Sequence, residues 1–432
     1  MQTQNNTEGA VKANNKPFYG WIAFSSAALA GMLSNGLFIF AYGVFLPVMT
    51  AEFGWSRASI ALGMTLGYVF FGVVSPLVGM SVARFGSRIN MLAGNLLLAL
   101  CLAGMSQVNA LWQVFVLYSL AGIASNFASS ISTNAVASNW FIKKRSLAMG
   151  IISGSIGVGG FIVPLIATKS IDAIGWRMSW LALVGLIVIG LICIFFVRNK
   201  PEDVGQVPDG VRGSEGQAKV KNAQSEAKSW TVKSVLQQPS TWLIMVFMTS
   251  NFFAWAGMMA HQVAYVTEGL GATPMVGAMT MSVVPGASIL GGLLFGVLAL
   301  RFGAKRLAIV SFAIYTLALV VLLVTKSVPF VYTYAFLFGM SGGAILPVMS
   351  TLLADYYGRA IFPKVLGLMS FFIFPFRAAA PTITGAIFDG TGTYTLAFII
   401  MAAFSFVGLI LAFLVSKPKP PEPLEKLGRD TA

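Results

Sequence analysis

Charge is scarce in this chain, and acidic charge scarcest: only 10% of the residues are Asp, Glu, Lys or Arg, and 14 are acidic against 28 basic. A soluble globular domain carries roughly one quarter charged residues, so that class is excluded. There is one histidine and there are two cysteines, Cys101 and Cys193, both inside apolar runs. No His/Cys group has metal-ligand spacing, so neither a metal nor a disulfide is expected. The sequence has no GxxxxGK[ST] phosphate loop, which removes ATP-driven work. It has no paired carboxylates within one apolar run, which removes hydrolytic acid–base chemistry. Neither an enzyme nor a bound cofactor is expected.

What the chain has instead is apolar length. Hydrophobic residues make up 57% of its 432 positions, and they group into about a dozen runs of roughly the 20 residues that cross a bilayer. Spans are expected at Phe18–Met49, Ser59–Val82, Ile89–Ser106, Leu111–Asn139, Ser146–Thr168 and Ser179–Val197, then at Thr241–Thr267, Met275–Leu300, Lys305–Lys326, Phe330–Tyr356, Lys364–Phe388 and Tyr394–Ser416. This divides the chain into a tail (1–17), a six-helix bundle (18–197), a linker (198–239), a second bundle (240–416) and a tail (417–432). The linker is rich in Lys, Glu, Gly, Gln and Ser, a composition with little to bury. The formal charge of +14 follows topology, because only Arg57, Lys169, Arg177 and Lys326 fall in the loops opposite the basic ones. Both termini are therefore expected in the cytoplasm. The polar start enters the first span directly, with no cleavable signal peptide expected. The linker's basic residues alternate with Glu and lack aromatics, so lipid and not nucleic acid is the expected surrounding.

An internal repeat is legible at an offset of 217 residues, the separation of Arg84 from Arg301. It carries Gly79-x4-Arg84-Phe85-Gly86-x-Arg88 onto Gly296-x4-Arg301-Phe302-Gly303-x-Lys305. It also carries Gly54 to Gly271, Gly150 to Gly367, Pro164 to Pro381 and Asp172 to Asp389. A single ungapped shift matching loops and helices this widely implies duplication.

These loop motifs resemble the signature of the major facilitator superfamily, and the resemblance covers essentially the whole chain. FGWSR (Phe53–Arg57), the segment Asn139–Gly160 and PEDVGQVPDG (Pro201–Gly210) resemble its bacterial monocarboxylate-transporter and oxalate:formate-antiporter branch. The resemblance implies an all-α membrane protein, twelve transmembrane helices in two pseudo-symmetric six-helix bundles. It implies a conformational gate at Gly79, Arg84, Gly86, Arg88, Gly296, Arg301, Gly303 and Lys305. It further implies a monomeric secondary transporter of the bacterial inner membrane that moves a small organic anion, with protons as a second partner. The family's loop Asp is replaced here by Ala83 and Leu300, so the gate must be held differently. A helix-8 Arg common in the branch is replaced by Gly292. Export of neutral or drug-like compounds is the alternative function, and a non-transporting membrane sensor a more distant one.

The residue at the centre of this expectation is Arg377. It lies 13 residues after Lys364 and 12 before Asp389, roughly 18–20 Å from either helix end at about 1.5 Å per residue. Burying such a cation costs roughly 2.5 kcal/mol or more, and every carboxylate is expected in a loop, tail or helix end. A guanidinium in that position presents a planar donor fork to a carboxylate. Asn35, Asn126 and Asn251 fall at mid-depth in helices that line the central cavity by resemblance, and each is a candidate for a substrate oxygen or for an interhelical hydrogen bond. Tyr68 is a candidate to cap the carboxylate, and Trp255, Phe372 and Phe376 are candidates for apolar walls or plain packing. His261 is the proton-coupling candidate or a packing residue. The ladder Gly150, Gly154, Gly157 and Gly160 permits close helix approach.

Overall fold

A computed structural model describes residues 17–210, 230–324 and 327–418. Expectations for the tails, for the linker between 211 and 229 and for Lys326 lie outside the described residues. Among those described there is no strand. The helices in chain order begin with α1 (Gly20–Gly36, a π-helical Leu37–Ala41, then Tyr42–Phe53), α2 (Arg57–Phe85), α3 (Ser87–Met105) and α4 (Leu111–Ala128 and Ser130–Trp140). One helical segment, Arg145–Ile194, follows; Gly175 at φ 75°, ψ 160° divides it into α5 before that glycine and α6 after it. The second half has α7 (Pro239–Ala264, ending in a π-helical Tyr265–Gly269), α8 (Pro274–Phe302), α9 (Ala304–Val324), α10 (Val328–Tyr357), α11 (Phe362–Thr391) and α12 (Thr395–Leu414). Eleven apolar stretches are long enough to cross a membrane, with α5 and α6 counted as one. The fold is thus twelve helices in two bundles, as expected. The reversals between α2 and α3 and between α8 and α9 each take a single glycine, Gly86 at φ 83° and Gly303 at φ 81°, a conformation a Cβ disfavours.

The duplication is visible in atomic contacts. A Cβ on Gly150 of α5 would collide with the Gly292 carbonyl of α8 and stand 3.1 Å from Gly296 Cα. At the sister positions, a Cβ on Gly367 of α11 would collide with the Ser75 carbonyl of α2 and stand 3.3 Å from Gly79 Cα. The reciprocal pair behaves alike: Gly79 abuts the backbone of Pro363 and Lys364, and Gly296 that of Ser146 and Gly150. Two seams, α5–α8 and α11–α2, therefore join the halves in the same way. The expected glycine ladder lies along the first, as far as Gly157 against Ile289; the next member, Gly160, packs instead against Phe40 of its own half.

The charged contacts at the basic end are not duplicated. Arg145 at the start of α5, 7% exposed in its side chain, pairs with Asp355 of α10 at 2.8 Å. Arg359 pairs with Glu202 at 2.7 Å and donates to the Asn139 carbonyl. Ser153 of α5 donates at 2.7 Å to the Gly343 carbonyl of α10, which lies four residues before Pro347 and so has no helical N–H to accept from. Arg84 and Arg301 lie over the rings of Phe85 and Phe302, and Lys305 is half-buried. Among the described residues the halves are clasped by Arg145 and Arg359, not by the motif arginines.

The start of the linker is folded. Asp209, in the left-handed region at φ 58°, accepts hydrogen bonds from the amides of Ile142, Lys143 and Lys144 at the entry to α5. Asn199 accepts from the Arg88 amide through Oδ1 and from Asn139 through its carbonyl. Gln206 accepts from the Tyr19 amide. A composition that reads as solvated coil is anchored here by polar side chains bonded to backbone, not by a core.

Candidate functional site

Arg377 is half-buried on α11, between two prolines of that helix, Pro375 and Pro381. Its guanidinium carbon stands 5.6 Å from the ring centroids of Tyr68 on α2 and Phe252 on α7 and 5.5 Å from that of Phe374 on its own helix. Three ring faces offer a cation about 0.5–2 kcal/mol each, depending on desolvation. No carboxylate is paired with it among the described residues. The contacts of the α11–α2 seam run from Gly79 with Pro363, through Ser75 with Gly367 and Gly72 with Phe374, to Tyr68 with Arg377. The cation thus stands at the far end of a sealed seam.

The aromatic wall differs in membership from the expected one. Phe374 shares a face with Arg377 because the two are three residues apart, whereas the adjacent Phe376 is turned about 100° away and is 56% exposed. Phe372 packs on Trp242 and Phe371. Trp255 stacks on Phe338 of α10, their planes 7° apart. Of the expected aromatic residues only Tyr68 reaches the cation. Phe252 was overlooked, although the repeat places it at the position sister to Asn35.

The three asparagines separate. Asn126 is fully buried and its amide nitrogen donates to the Phe71 carbonyl and to Ser75 Oγ, tying α4 to α2, while its Oδ1 has no partner. Asn251 is 2% exposed with its Nδ2 unpartnered, and its carbonyl accepts from Tyr315. Asn35 lines a small cleft of about 20 Å³, together with Ser129, Ser130, Thr133, Asn134 and Leu346. That cleft opens beside the interruption of α4, where Ser129 adopts φ −129°, ψ −87°. The structure brings together Arg377 and Tyr68, sets Asn35 on the separate cleft beside α4, and uses Asn126 and Trp255 between helices. Phe38, three residues beyond Asn35, links the two regions with its ring 5.4 Å from that of Tyr68.

His261 reaches α11 one turn beyond the cation, with Nε2 at 2.9 Å from the Pro381 carbonyl. A carbonyl only accepts, so in this contact Nε2 is the donor.

The sequence matches the model of the Major Facilitator Superfamily over residues 28–289 and 250–431. It is 26% identical over 426 residues to the oxalate:formate antiporter of Oxalobacter formigenes, covering 92% of this chain and 95% of that protein. It is 25% identical over 301 residues to monocarboxylate transporter 12 of Rattus norvegicus, covering 65% of this chain and 61% of that one. Its fold superposes on the proton:xylose symporter XylE bound to 6-bromo-6-deoxy-D-glucose with a TM-score of 0.77 and 14% identity, over 95% of this chain and 99% of that chain.

Proposed function

The chain belongs to the major facilitator superfamily, a family of multi-pass membrane transporters, and from that premise we propose that it is a secondary transporter of a small organic anion, a monocarboxylate, working by alternating access. The observation that carries this reading is Arg377: a half-buried guanidinium among three aromatic faces, with no protein carboxylate paired to it among the described residues. A carboxylate entering from the unsealed side of Tyr68 supplies the missing counter-charge. Neutralising the cation lowers the cost of closing dry helices over it, which couples binding to the rocking of bundle 18–197 against bundle 240–416. The names of the two carboxylate-transporting relatives agree with this substrate class.

In this reading the basic end faces the cytoplasm of a bacterial cell, both termini lie there, and the protein works as a monomer in the inner membrane. The gate comprises Gly79, Gly86, Gly296 and Gly303 with Arg84, Arg88, Arg301 and Lys305, Gly79 and Gly296 setting the close approach and Gly86 and Gly303 the reversals. His261, in contact with the Pro381 carbonyl one turn from Arg377, is our candidate for coupling a proton, and we rank symport ahead of exchange. An exporter of neutral compounds has no need of an unpaired Arg377.

The test is uptake into proteoliposomes under an imposed pH gradient, after a thermal-shift screen of mono-, di- and aromatic carboxylates beside neutral compounds. A monocarboxylate that stabilises the protein and is taken up only when Arg377 is intact supports the reading. Stabilisation by neutral compounds alone moves it to export.

A further inference from the structure

We propose that the cleft at the interruption of α4 is a substrate subsite that takes an uncharged oxygen, a hydroxyl, keto or amide oxygen, carried on the organic end of the anion. This rests on the carboxylate reading of Arg377 and adds where the remainder of the substrate goes.

Asn35 is 7% exposed, lines the cleft, and makes no hydrogen bond through its side chain among the described residues. Unlike the sealed, unpartnered amide atoms of Asn126 and Asn251, the Asn35 amide keeps access to the cleft it lines. The half-buried Ser130 lines the same cleft, and its hydroxyl makes no hydrogen bond among the described residues. Their neighbours are already committed: Asn134 donates to the Ser130 carbonyl at 2.7 Å and accepts from Ser350 of α10 at 3.2 Å. Thr133 Oγ1 is directed at the Ala27 carbonyl, and a Cβ on Gly31 of α1 would stand 2.6 Å from it. The scaffold therefore fixes the walls and leaves one amide and one hydroxyl facing the space between them.

The second segment of α4 starts at Ser130 and is 11 residues long, so the positive end of its dipole lies at the cleft and favours an oxygen acceptor. No charged side chain lines the cleft, which argues against a second carboxylate there. Interrupted helices place their ends at transported ligands in other transporter folds. The repeat sharpens the point. Ser129 and Ser130 correspond to Leu346 and Pro347, so the interruption of α4 and the interior proline of α10 stand at the same level, and Leu346 lines the cleft from the opposite half. A ligand held there touches both halves.

Binding to the purified full chain is measured by calorimetry with pentanoate, its 2-, 3-, 4- and 5-hydroxy derivatives, and glutarate. At least one hydroxypentanoate should bind about fivefold or more tighter than pentanoate, the worth of one added hydrogen bond, and glutarate should bind more weakly than pentanoate. That preference ratio should fall to about one in Ser130→Ala and in Asn35→Ala, a readout that a general loss of stability does not move. Equal affinity for pentanoate and every hydroxy derivative, or a preference that survives in both variants, overturns the subsite and leaves the carboxylate reading standing. Failure of the wild type to bind pentanoate at all, or binding by Arg377→Ala equal to wild type, overturns both.

Discussion

The seam between α5 and α8 and the seam between α11 and α2 are two copies of one device. Gly150 meets Gly292 and Gly296 in one, and Gly367 meets Ser75 and Gly79 in the other, with each residue shifted by the repeat offset. Nearly three turns along, the copies part company: Gly160 faces Phe40 of its own half, while its sister, Arg377, sits among Tyr68, Phe252 and Phe374. The scaffold kept its symmetry where backbones touch and lost it where a ligand would be held. Close packing tolerates no side chain on either copy, whereas a single cation needs only one place.

The hardest blow to that contrast is Arg377→Ala, expected to lower carboxylate uptake in proteoliposomes by at least about 100-fold, the scale set by losing a partly buried charge-assisted pair. Arg377→Lys should leave weak uptake, since a point charge replaces a fork. Adding Gly160→Arg to the alanine variant should restore nothing, because Phe40 already fills that site. Uptake by Arg377→Ala at the wild-type rate would end the assignment.

Next come the seams. Gly150→Leu and Gly367→Leu should each slow transport about tenfold and cost about 1–3 kcal/mol of stability through overpacking. Melting temperature and uptake should fall by similar amounts in the two. A large effect in one seam and none in the other would mean that the copies are not mechanically equivalent.

The clasp at the basic end gives a smaller effect. Asp355→Asn removes the charge opposite buried Arg145 and should destabilise the basic-end-closed form by about 1–2 kcal/mol, below the range for fully buried pairs because Asp355 is 49% exposed in its side chain. Cysteine labelling near the basic loops should accelerate, and the swap of Arg145→Asp with Asp355→Arg should slow it again. The smallest expected change is in Tyr68→Phe, which keeps the ring and should raise the KM for a carboxylate no more than about threefold, with kcat little altered.

The duplication, the helices and the place of Arg377 in the middle of α11 were legible because each rests on local spacing: a motif recurring at a fixed offset, hydrophobic length, and counting along one helix. The clasp was not, since Arg145 and Asp355 are 210 residues apart and neither stands in a repeated motif. The cation's aromatic neighbours were only half legible. Helical phase favours Phe374 over Phe376 from sequence alone, yet Phe252 arrives from another helix and needs the fold to place it. The interruption at Ser129 carries no proline or glycine, so its run of serines reads as ordinary helix; Pro347, the sister of the adjoining Ser130, was the available hint. The folded start of the linker was hidden because Asp209 and Glu202 act on partners far along the chain.

The hydrogen bond from Ser153 to the Gly343 carbonyl carries one more implication. With Pro347 four residues on, that oxygen has no donor within its own helix, so Ser153 is its partner for as long as the halves stay together. When they separate, the oxygen must be handed to water, since an orphaned carbonyl in a dry interior is costly. In the rocking motion proposed above, opening at that end would expose this carbonyl to water, tying the transition to how readily a water molecule can reach the space beside one proline.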